Sequence, residues 1–271
     1  MIGDRVAELA RLVRRKTASP QTLNALPPVP DMQRVFEDGR CLYDGYQRGA
    51  LAKYGELGEM VRRDPAYRKA RKAAQFPAVE SMVIEDRFIN LFLLIKFFLR
   101  DLASQNIIEF GAFKGGSAVF MATLLKEFYP RARMLSLDTF AGLGELETGV
   151  DKPPEDFLNV NFERTCAAAR TLGLDNLEFV KGFIEDTGLE ACRTLGTIGL
   201  AHIDVVLHGP SVFAQNLVWD FMAPDGYLVQ DDALEPTCPG ATMAVEEMIR
   251  TRGLSMEQVW PQIIFRAHRP A

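Results

Sequence analysis

The sequence predicts an α/β fold in which a mostly parallel, seven-stranded sheet carries helices on both faces and follows an N-terminal helical appendage. From about residue 80 onward, short apolar runs alternate with segments whose apolar residues recur at helical spacing. Such alternation is typical of right-handed crossovers between parallel strands. A length of 271 residues, with 48% hydrophobic and 25% charged residues, suits one globular domain, alone or with an appendage.

The first 80 residues are predicted to form a helical appendage rather than an independent domain. Apolar residues recur at helical spacing in residues 4–16, and prolines at 27–30 then break regular structure. Residues 31–75 indicate irregular helices separated by glycine turns. We expect the appendage to cover a binding site or to pair subunits in a homo-oligomer, and residues 81–271 to form the α/β domain.

The α/β part divides into predicted strands and helices in regular succession. In a parallel sheet, ligands bind outside the carboxyl ends of the strands, so the residues after each strand are the candidates for function. The predicted strands are residues 106–110, 133–138, 177–181, 199–206, 226–230, 257–260 and 262–268, and the predicted helices are residues 116–129, 155–172, 210–222 and 241–252.

Composition argues against several classes of function. The net charge of −5 disfavours nucleic acid as a partner. One basic run, at residues 62–72, is either a solvated helix face or a patch for RNA or another acidic partner. The longest apolar run, residues 88–99, is interrupted by Asn90 and Lys96, so we expect a buried helix and no membrane span.

The cysteines and the N-terminus indicate a cytoplasmic protein. The N-terminal residues contain no continuous apolar segment, so no signal peptide is expected. No two cysteines form a CxxC pair, which argues against a zinc site and a thioredoxin-like motif. We expect reduced thiols at the four cysteines, which are Cys41, Cys166, Cys192 and Cys238.

A glycine-rich turn after the first predicted strand is the first candidate site. Residues 109–117 read EFGAFKGGS and lead into a helix, whose N-terminus suits a carboxylate or a phosphate. The turn matches neither GxGxxG nor a P-loop. Asp138 ends the second strand, where a carboxylate can accept hydrogen bonds from ribose hydroxyls. Together they predict a nucleoside ligand; the alternatives are a plain strand–helix turn and an Asp that caps a turn.

Three aspartates form the second candidate site. Asp204 ends the fourth predicted strand, and Asp231 and Asp232 end the fifth. If these strand ends are adjacent, three carboxylates converge, which suits Mg²⁺ better than zinc. The alternative is that Asp231 and Asp232 cap a turn before the loop at residues 236–239.

From residue 81 to about residue 245 the sequence resembles the macrocin/mycinamicin-type sugar O-methyltransferases. These are Rossmann-like class I S-adenosylmethionine-dependent methyltransferases related to catechol O-methyltransferase. The motifs that carry the resemblance are, in order, SMVIEDRFINL, GAFKGGSAVFMATLL, LDTFAGL, NLEFVKGFIEDT, HID and GYLVQDD.

The resemblance implies roles for individual residues. Asp204, Asp231 and Asp232 would hold a divalent metal, Asp204 also lying against the cofactor. The cofactor itself would be held at its methionine end by Glu109, Gly111, Gly115 and Ser117 with Met82 closing over it, at its ribose by Asp138 and Thr139, and at its adenine by Gly182 and Phe183.

The sequence departs from this family after the fourth strand. The family's HIDxDxY is HIDVVLH here, so Val206 stands at the second acid and His208 at the tyrosine, while Leu207 stands at the lysine of the catechol type. The usual base is therefore missing. His208 could replace it as a catalytic residue beside Asp204, or it could be a loop residue. His202 is expected to be a packed core histidine.

The leading hypothesis is a Mg²⁺-dependent O-methyltransferase acting on a hydroxyl of a small natural product, for example of a sugar moiety. A second hypothesis keeps the cofactor but expects metal-independent N- or carboxyl-methylation, or other chemistry, because Val206 is not an acid. A third is a non-catalytic cofactor-binding protein. RNA methylation depends only on the basic run at residues 62–72.

Overall fold

The computed structural model describes residues 57–75, 77–143, 157 and 159–268. Their centre is a six-stranded sheet in the order β3-β2-β1-β4-β5-β6, parallel except for β6, which pairs antiparallel with β5. The strands are β1 (Ile107–Phe110), β2 (Met134–Asp138), β3 (Leu177–Lys181), β4 (Ile198–Ile203), β5 (Met222–Gln230) and β6 (Ile263–Arg266).

Helices connect the strands, as the alternating pattern predicts. They are α1 (Pro65–Ala73), α2 (Glu85–Leu93), α3 (Gly116–Phe128), α4 (Phe162–Thr171), α5 (Ile184–Leu195), α6 (His208–Trp219) and α7 (Pro239–Arg252). A π-helical turn (Leu94–Phe98) and two 3₁₀ turns (Leu99–Asp101 and Asp232–Leu234) complete the elements. This is the predicted Rossmann-like architecture. No helix among these residues combines the length and apolarity needed to cross a membrane.

The strand order places the candidate site at a topological switch point. The chain leaves β1 towards β2 on one side, and it later returns to β4 on the other side of β1. Every residue of β1 and β4 is buried, because helices cover both faces of the sheet. Glu109 and His202 are therefore polar residues within otherwise apolar strands, and they are paired in register.

The end of the chain differs from the prediction of two final strands. Within the described part of the chain the sheet has six strands, and β6 is the only strand after α7. Residues 257–260 contribute one isolated antiparallel bridge, between Gln258 and Ile264. Pro261 follows and has no N–H group to donate, so a continuous ladder cannot form there.

Several predicted boundaries are also wrong, and the strand predicted at 226–230 begins earlier, at Met222. The helix predicted at 155–172 begins at Phe162, because Asn161 has extended backbone and its side chain accepts the Arg164 N–H at 2.8 Å. The strand predicted at 199–206 ends at Ile203. The helix predicted at 210–222 is His208–Trp219, because Met222 already belongs to β5.

The described residues before position 80 pack on the α/β core. The ring of Tyr67 in α1 makes edge contacts with Phe92 and Phe120, at centroid distances of 5.4 and 5.7 Å. Several residues of the basic run form ion pairs: Arg62 with Glu59, Lys69 with Glu127 and Arg71 with Glu85. The helix predicted at 4–16 lies outside the described residues, and the division at residue 80 stays a prediction.

Candidate active site

A cavity of about 480 Å³ lies at the carboxyl edge of the sheet, where the switch point was expected to place a site. The segments after all five parallel strands, β1 to β5, line it, together with residues 80–84. The predicted site residues that line it are Met82, Gly111, Ser117, Asp138, Thr139, Phe183, Asp204, Asp231 and Asp232. Those that do not are Glu109, Gly115, Gly182 and His208.

The glycine-rich turn holds several pieces of backbone close together. Gly111 has φ +101°, and a Cβ atom there would lie 1.9 Å from the carbonyl oxygen of Asp204. A Cβ on Gly116 would lie 2.5 Å from the carbonyl oxygen of Glu80, which accepts the Gly116 N–H at 3.0 Å. The glycines thus let β4 and residues 80–84 approach the start of α3, and this approach forms one wall of the cavity.

Asp138 organises the turn and faces the cavity. Its Oδ2 accepts the N–H of Phe113 at 2.8 Å, and its Oδ1 accepts the N–H of Phe140 at 2.7 Å. Both donors have positive φ, +48° and +49°. Burial raises the pKa of Asp138. Each carboxylate oxygen has a second lone pair, so the turn-capping role is compatible with acceptance from ribose hydroxyls.

A buried chain of hydrogen bonds connects the two candidate sites under the cavity. His202 Nδ1 lies 3.0 Å from Glu109 Oε1, and His202 Nε2 lies 3.1 Å from Asp231 Oδ1. Glu109 Oε2 also accepts from Ser136 Oγ at 2.5 Å. Burial alone would lower the pKa of His202, but its hydrogen bonds to Asp231 and Glu109 outweigh it and raise the pKa well above its ordinary value. Glu109 and His202 do not line the cavity themselves, and through these hydrogen bonds they orient Asp231, which does.

Asp204, Asp231 and Asp232 converge as their positions after β4 and β5 predict. One carboxylate oxygen from each lies within 4.8 Å of the others. Burial and the charge of Asp231 raise the pKa of Asp232 to about 7, and burial with both neighbours raises that of Asp204. For Asp231, burial opposes ionisation, but the His202 hydrogen bond and the Arg87 charge lower the pKa to about 2.

Arg87, from α2, is a site residue that the sequence analysis missed. Its side chain is only 7% exposed, and Nη1 lies 2.5 Å from Asp231 Oδ2 and 3.8 Å from Asp232 Oδ1. Its Nη2 pairs with Glu235, another cavity residue that was not predicted. The sequence contained one indication of this role, since Arg87 directly precedes the apolar run at 88–99. A charged residue that is buried with such a run needs a partner of opposite charge.

The carboxylate cluster fits a hard divalent cation. Three oxygens at this spacing can occupy neighbouring positions around Mg²⁺. Burial and the neighbouring carboxylate charges raise the pKa values of two of the three carboxyl groups, Asp204 and Asp232, and a bound cation would offset these charges. The first candidate site, at the glycine-rich turn, fits a nucleoside ligand as well, since Asp138 and the start of α3 at Ser117 both face the cavity.

The segment after Asp204 is apolar where it meets the cavity. Val206 and Leu207 line it and pack with Cys238 and Ala241, against which Phe157 also packs. His208 is the first residue of α6, and its Nε2 lies 3.4 Å from Glu247 Oε2 of α7. The structure does not bring His208 to the cavity lining, and its role as a base stays a prediction.

Comparisons with known proteins identify the family of the chain. A family model described as macrocin O-methyltransferase (TylF) matches residues 44–260. The 8-demethyl-8-(2,3-dimethoxy-alpha-L-rhamnosyl)-tetracenomycin-C 4'-O-methyltransferase of Streptomyces olivaceus is 26% identical in an alignment of 185 residues. The alignment covers 61% of this chain and 67% of the relative. Mycinamicin III 3''-O-methyltransferase of Micromonospora griseorubida is 25% identical over 207 residues, covering 70% and 79%.

Solved structures resemble the fold. The O-methyltransferase NovP superposes with a TM-score of 0.62 at 19% identity, over 79% of this chain and 95% of that one. At this identity the likeness concerns architecture alone.

Proposed function

The chain belongs to the macrocin O-methyltransferase (TylF) family and is an S-adenosylmethionine-dependent methyltransferase, and from this premise we propose that it methylates a hydroxyl group of a small-molecule natural product with the help of Mg²⁺. The observation that carries the proposal is the convergence of Asp204, Asp231 and Asp232 on the cavity beside the glycine-rich turn. A metal-bound hydroxyl is more acidic than a free one, which is the chemistry that Mg²⁺ would supply there.

The chain's own residues would hold and orient the reactants. Asp138 and Thr139 lie where the ribose would bind, and Phe183 is half exposed beside them for the adenine. Met82, also half exposed, would cover the methionine end from residues 80–84. Asp204, Asp231 and Asp232 would hold the metal. Orientation of two reactants in one cavity supplies much of the rate in such bimolecular reactions.

The names of the relatives suggest one acceptor class. Both names are those of O-methyltransferases, one of mycinamicin III and one of a tetracenomycin C whose name specifies a rhamnosyl group. A sugar hydroxyl is therefore one candidate acceptor. At 25–26% identity the acceptor itself can change, because acceptor binding depends on loops that differ between relatives.

Calorimetry would test the metal site directly. We would titrate Mg²⁺ into protein saturated with S-adenosylhomocysteine and repeat the titration with Asp232→Ala. The matched control is Asp220→Ala, an exposed aspartate at the end of α6. We expect Mg²⁺ binding in the wild type and in Asp220→Ala, and none in Asp232→Ala. Cofactor binding without Mg²⁺ binding in the wild type would contradict the metal-dependent mechanism.

A second candidate function is metal-independent methylation of an amine or a carboxylate. The observation that favours it is Arg87, whose permanent charge already compensates Asp231 and Glu235. An amine or carboxylate acceptor also does not need the family's second acid, which is absent here because Val206 stands at its position. Full methyl transfer in buffer containing a chelator would support this candidate against the first.

We further propose that the protein is a cytoplasmic homo-oligomer and that residues 1–80 cover the site or pair subunits. In support of a reducing compartment, Cys166, Cys192 and Cys238 are free thiols in the described part of the chain. Light scattering coupled to size-exclusion chromatography would test the oligomeric state. A mass of about 30 kDa, which is that of one chain, would contradict it.

A further inference from the structure

The cavity has an apolar wall directly beside the carboxylate cluster. We define this wall as Val206, Leu207, Cys238 and Phe157, all of which line the cavity. Val206, Leu207 and Cys238 are at most 8% exposed and pack together, with Phe157 against them. Val206 follows Asp204 by two residues and lines the same cavity, so an acceptor that presents its hydroxyl to the cluster can lay its remaining surface along this wall.

The wall cannot take a proton from the acceptor. Valine, leucine and phenylalanine have no basic atom. Burial raises the pKa of the Cys238 thiol to about 12, so it stays protonated at neutral pH. Glu235, nearby on the cavity, is already paired with Arg87. Among the described residues of the wall, none can act as the general base for the hydroxyl.

The acidity of the acceptor therefore affects which hydroxyl reacts. Asp204, Asp231 and Asp232 also line the cavity, but in the proposed function they would hold the metal rather than take the proton. A phenol has a pKa of about 10, so roughly one molecule in a thousand is ionised at pH 7. A hydroxyl as weakly acidic as water is ionised at pH 7 in fewer than one molecule in about 10⁸, and an alkyl hydroxyl is close to this second case. A bound metal would make both hydroxyls more acidic, and the difference in ionisation of more than about five orders of magnitude favours an aryl hydroxyl.

The packing chemistry of the wall points the same way. A sugar ring carries several further hydroxyls, and each would lose hydrogen bonds with water against valine, leucine and phenylalanine. An aromatic ring gains by burial there and can make an edge-to-face contact. Phe157 already makes such a contact with Phe113, another cavity residue, at a centroid distance of 5.7 Å.

We infer that the acceptor is a phenol or catechol, which presents an aryl hydroxyl to the carboxylate cluster and packs its ring on the apolar wall. The inference rests on the proposed methyl transfer and narrows its acceptor. The aryl oxygen forms the new O–C bond as the methyl–sulfur bond breaks, the bonding pair stays on sulfur, and the hydroxyl proton leaves to water.

The first experiment compares two probes with the full-length protein, S-adenosylmethionine and Mg²⁺. Catechol represents the aryl hydroxyl and methyl α-L-rhamnoside the sugar hydroxyl, and methylated products are quantified by mass spectrometry. We expect catechol to react at least about 100-fold faster. Val206→Asp places a carboxylate on the wall and should raise the rhamnoside rate, whereas Val206→Asn, which has the same shape but no basic group, should not. Equal or faster wild-type reaction with the rhamnoside would overturn the inference and leave the proposed function standing.

A second experiment reports binding without turnover. Binding of 4-nitrocatechol to the S-adenosylhomocysteine complex is followed by the change in its visible absorbance on ionisation. We expect saturable binding to the wild type that Val206→Asn weakens several-fold. The absence of both 4-nitrocatechol binding and catechol methylation would overturn the aryl acceptor. The proposed function fails separately, if the protein binds no Mg²⁺ in the calorimetric test.

Discussion

Arg87 connects the stability of the fold to the charge of the site. Replacing it with methionine leaves Asp231 buried beside Asp232 and Glu235 without their cation. Removing one partner of a buried ion pair costs about 3–5 kcal/mol. We expect Arg87→Met to lower the free energy of unfolding in urea by that amount, and Arg87→Lys by less.

The control for Arg87 is an exposed ion pair. Arg133 lies 3.7 Å from Glu178, and both side chains are more than half exposed. Exposed pairs contribute about 0–1 kcal/mol. Arg133→Met should therefore leave the free energy of unfolding within about 1 kcal/mol of the wild type. An equal loss in both variants would show that the burial of Arg87 is not what makes its pairs strong.

The raised pKa of Asp232 predicts a pH-dependent stability in metal-free buffer. Its pKa is about 7 in the folded protein against an ordinary value of 3.8, so folding favours its protonated form. That stabilisation is complete below pH 3.8 and is lost as the pH rises through 7. We expect Asp232→Asn to melt a few degrees above the wild type at pH 8, and at the wild-type temperature near pH 4.

Asp231 should show the opposite sign. Its pKa is lowered to about 2, so the stability that it contributes is present above 3.8 and is lost as the pH falls through 2. Asp231→Asn should therefore lower the melting temperature at pH 8, in contrast to Asp232→Asn. Parallel shifts in the two variants, measured by calorimetry with a chelator present, would show that the two carboxyl groups are not differentiated as their contacts indicate.

At the residue scale, the sequence predicted the three carboxylates of the site but not the contacts of Arg87 and His202 that shift their pKa values. Asp204, Asp231 and Asp232 follow apolar strands, so their position at the cavity follows from the fold. Arg87 reaches the site from a helix more than 100 residues before Asp231, and that approach depends on tertiary packing. His202 was expected in the core, but its contacts with carboxylates on both sides follow only from the strand register.

At the scale of elements, the turn between β1 and α3 should tolerate no side chain at Gly111. A Cβ there would meet the Asp204 carbonyl oxygen at 1.9 Å in a backbone with φ +101°. The expected cost is about 2–5 kcal/mol, since overpacking adds to the strain of a left-handed backbone. Gly111→Ala should also weaken binding of S-adenosylhomocysteine, because Asp204 must move. Urea denaturation and calorimetry measure the two effects.

Gly173 supplies the matched control for Gly111. It also has positive φ, +69°, but a Cβ there meets nothing within 4 Å. Gly173→Ala should cost only about 1–2 kcal/mol, from the backbone alone, and leave ligand binding unchanged. If both variants bind S-adenosylhomocysteine as the wild type does, the contact between the turn and β4 does not shape the cavity.

The elements that could be predicted are those with a strong local signal. β1 to β3 and α3 are apolar segments bounded by glycine or polar residues, and their observed bounds differ from the predicted ones by at most one residue. Beyond the end of β4, residues 205–207 are apolar although pairing stops, and residues 257–260, which read EQVW, form only one bridge. There the outcome depends on available hydrogen-bond partners rather than on residue type.

At the scale of the whole molecule, the division of the chain can be tested by deletion. The structure separates a compact unit, Glu56–Ala271, whose core includes Tyr67 from α1. We expect residues 56–271 to unfold cooperatively, because this core is formed within the unit. Residues 81–271 should be less stable by at least about 3–5 kcal/mol, the usual cost of deleting one large buried aromatic side chain. Urea denaturation of both fragments measures this.

The same two fragments distinguish packing from a role in the reaction. Deletion of residues 56–80 uncovers Phe92 and Phe120 and removes the Glu80 carbonyl that accepts from Gly116 at the start of α3, so the shorter fragment should also bind S-adenosylhomocysteine more weakly. If residues 1–55 cover the site or pair subunits, fragment 56–271 should bind this ligand but differ from the full chain in the number of chains per oligomer or in methyl-transfer rate. Equal stability of fragment 81–271 and the full chain would place the boundary at residue 80, whereas an unaltered number of chains per oligomer and an unaltered rate for fragment 56–271 would remove residues 1–55 from the proposed mechanism.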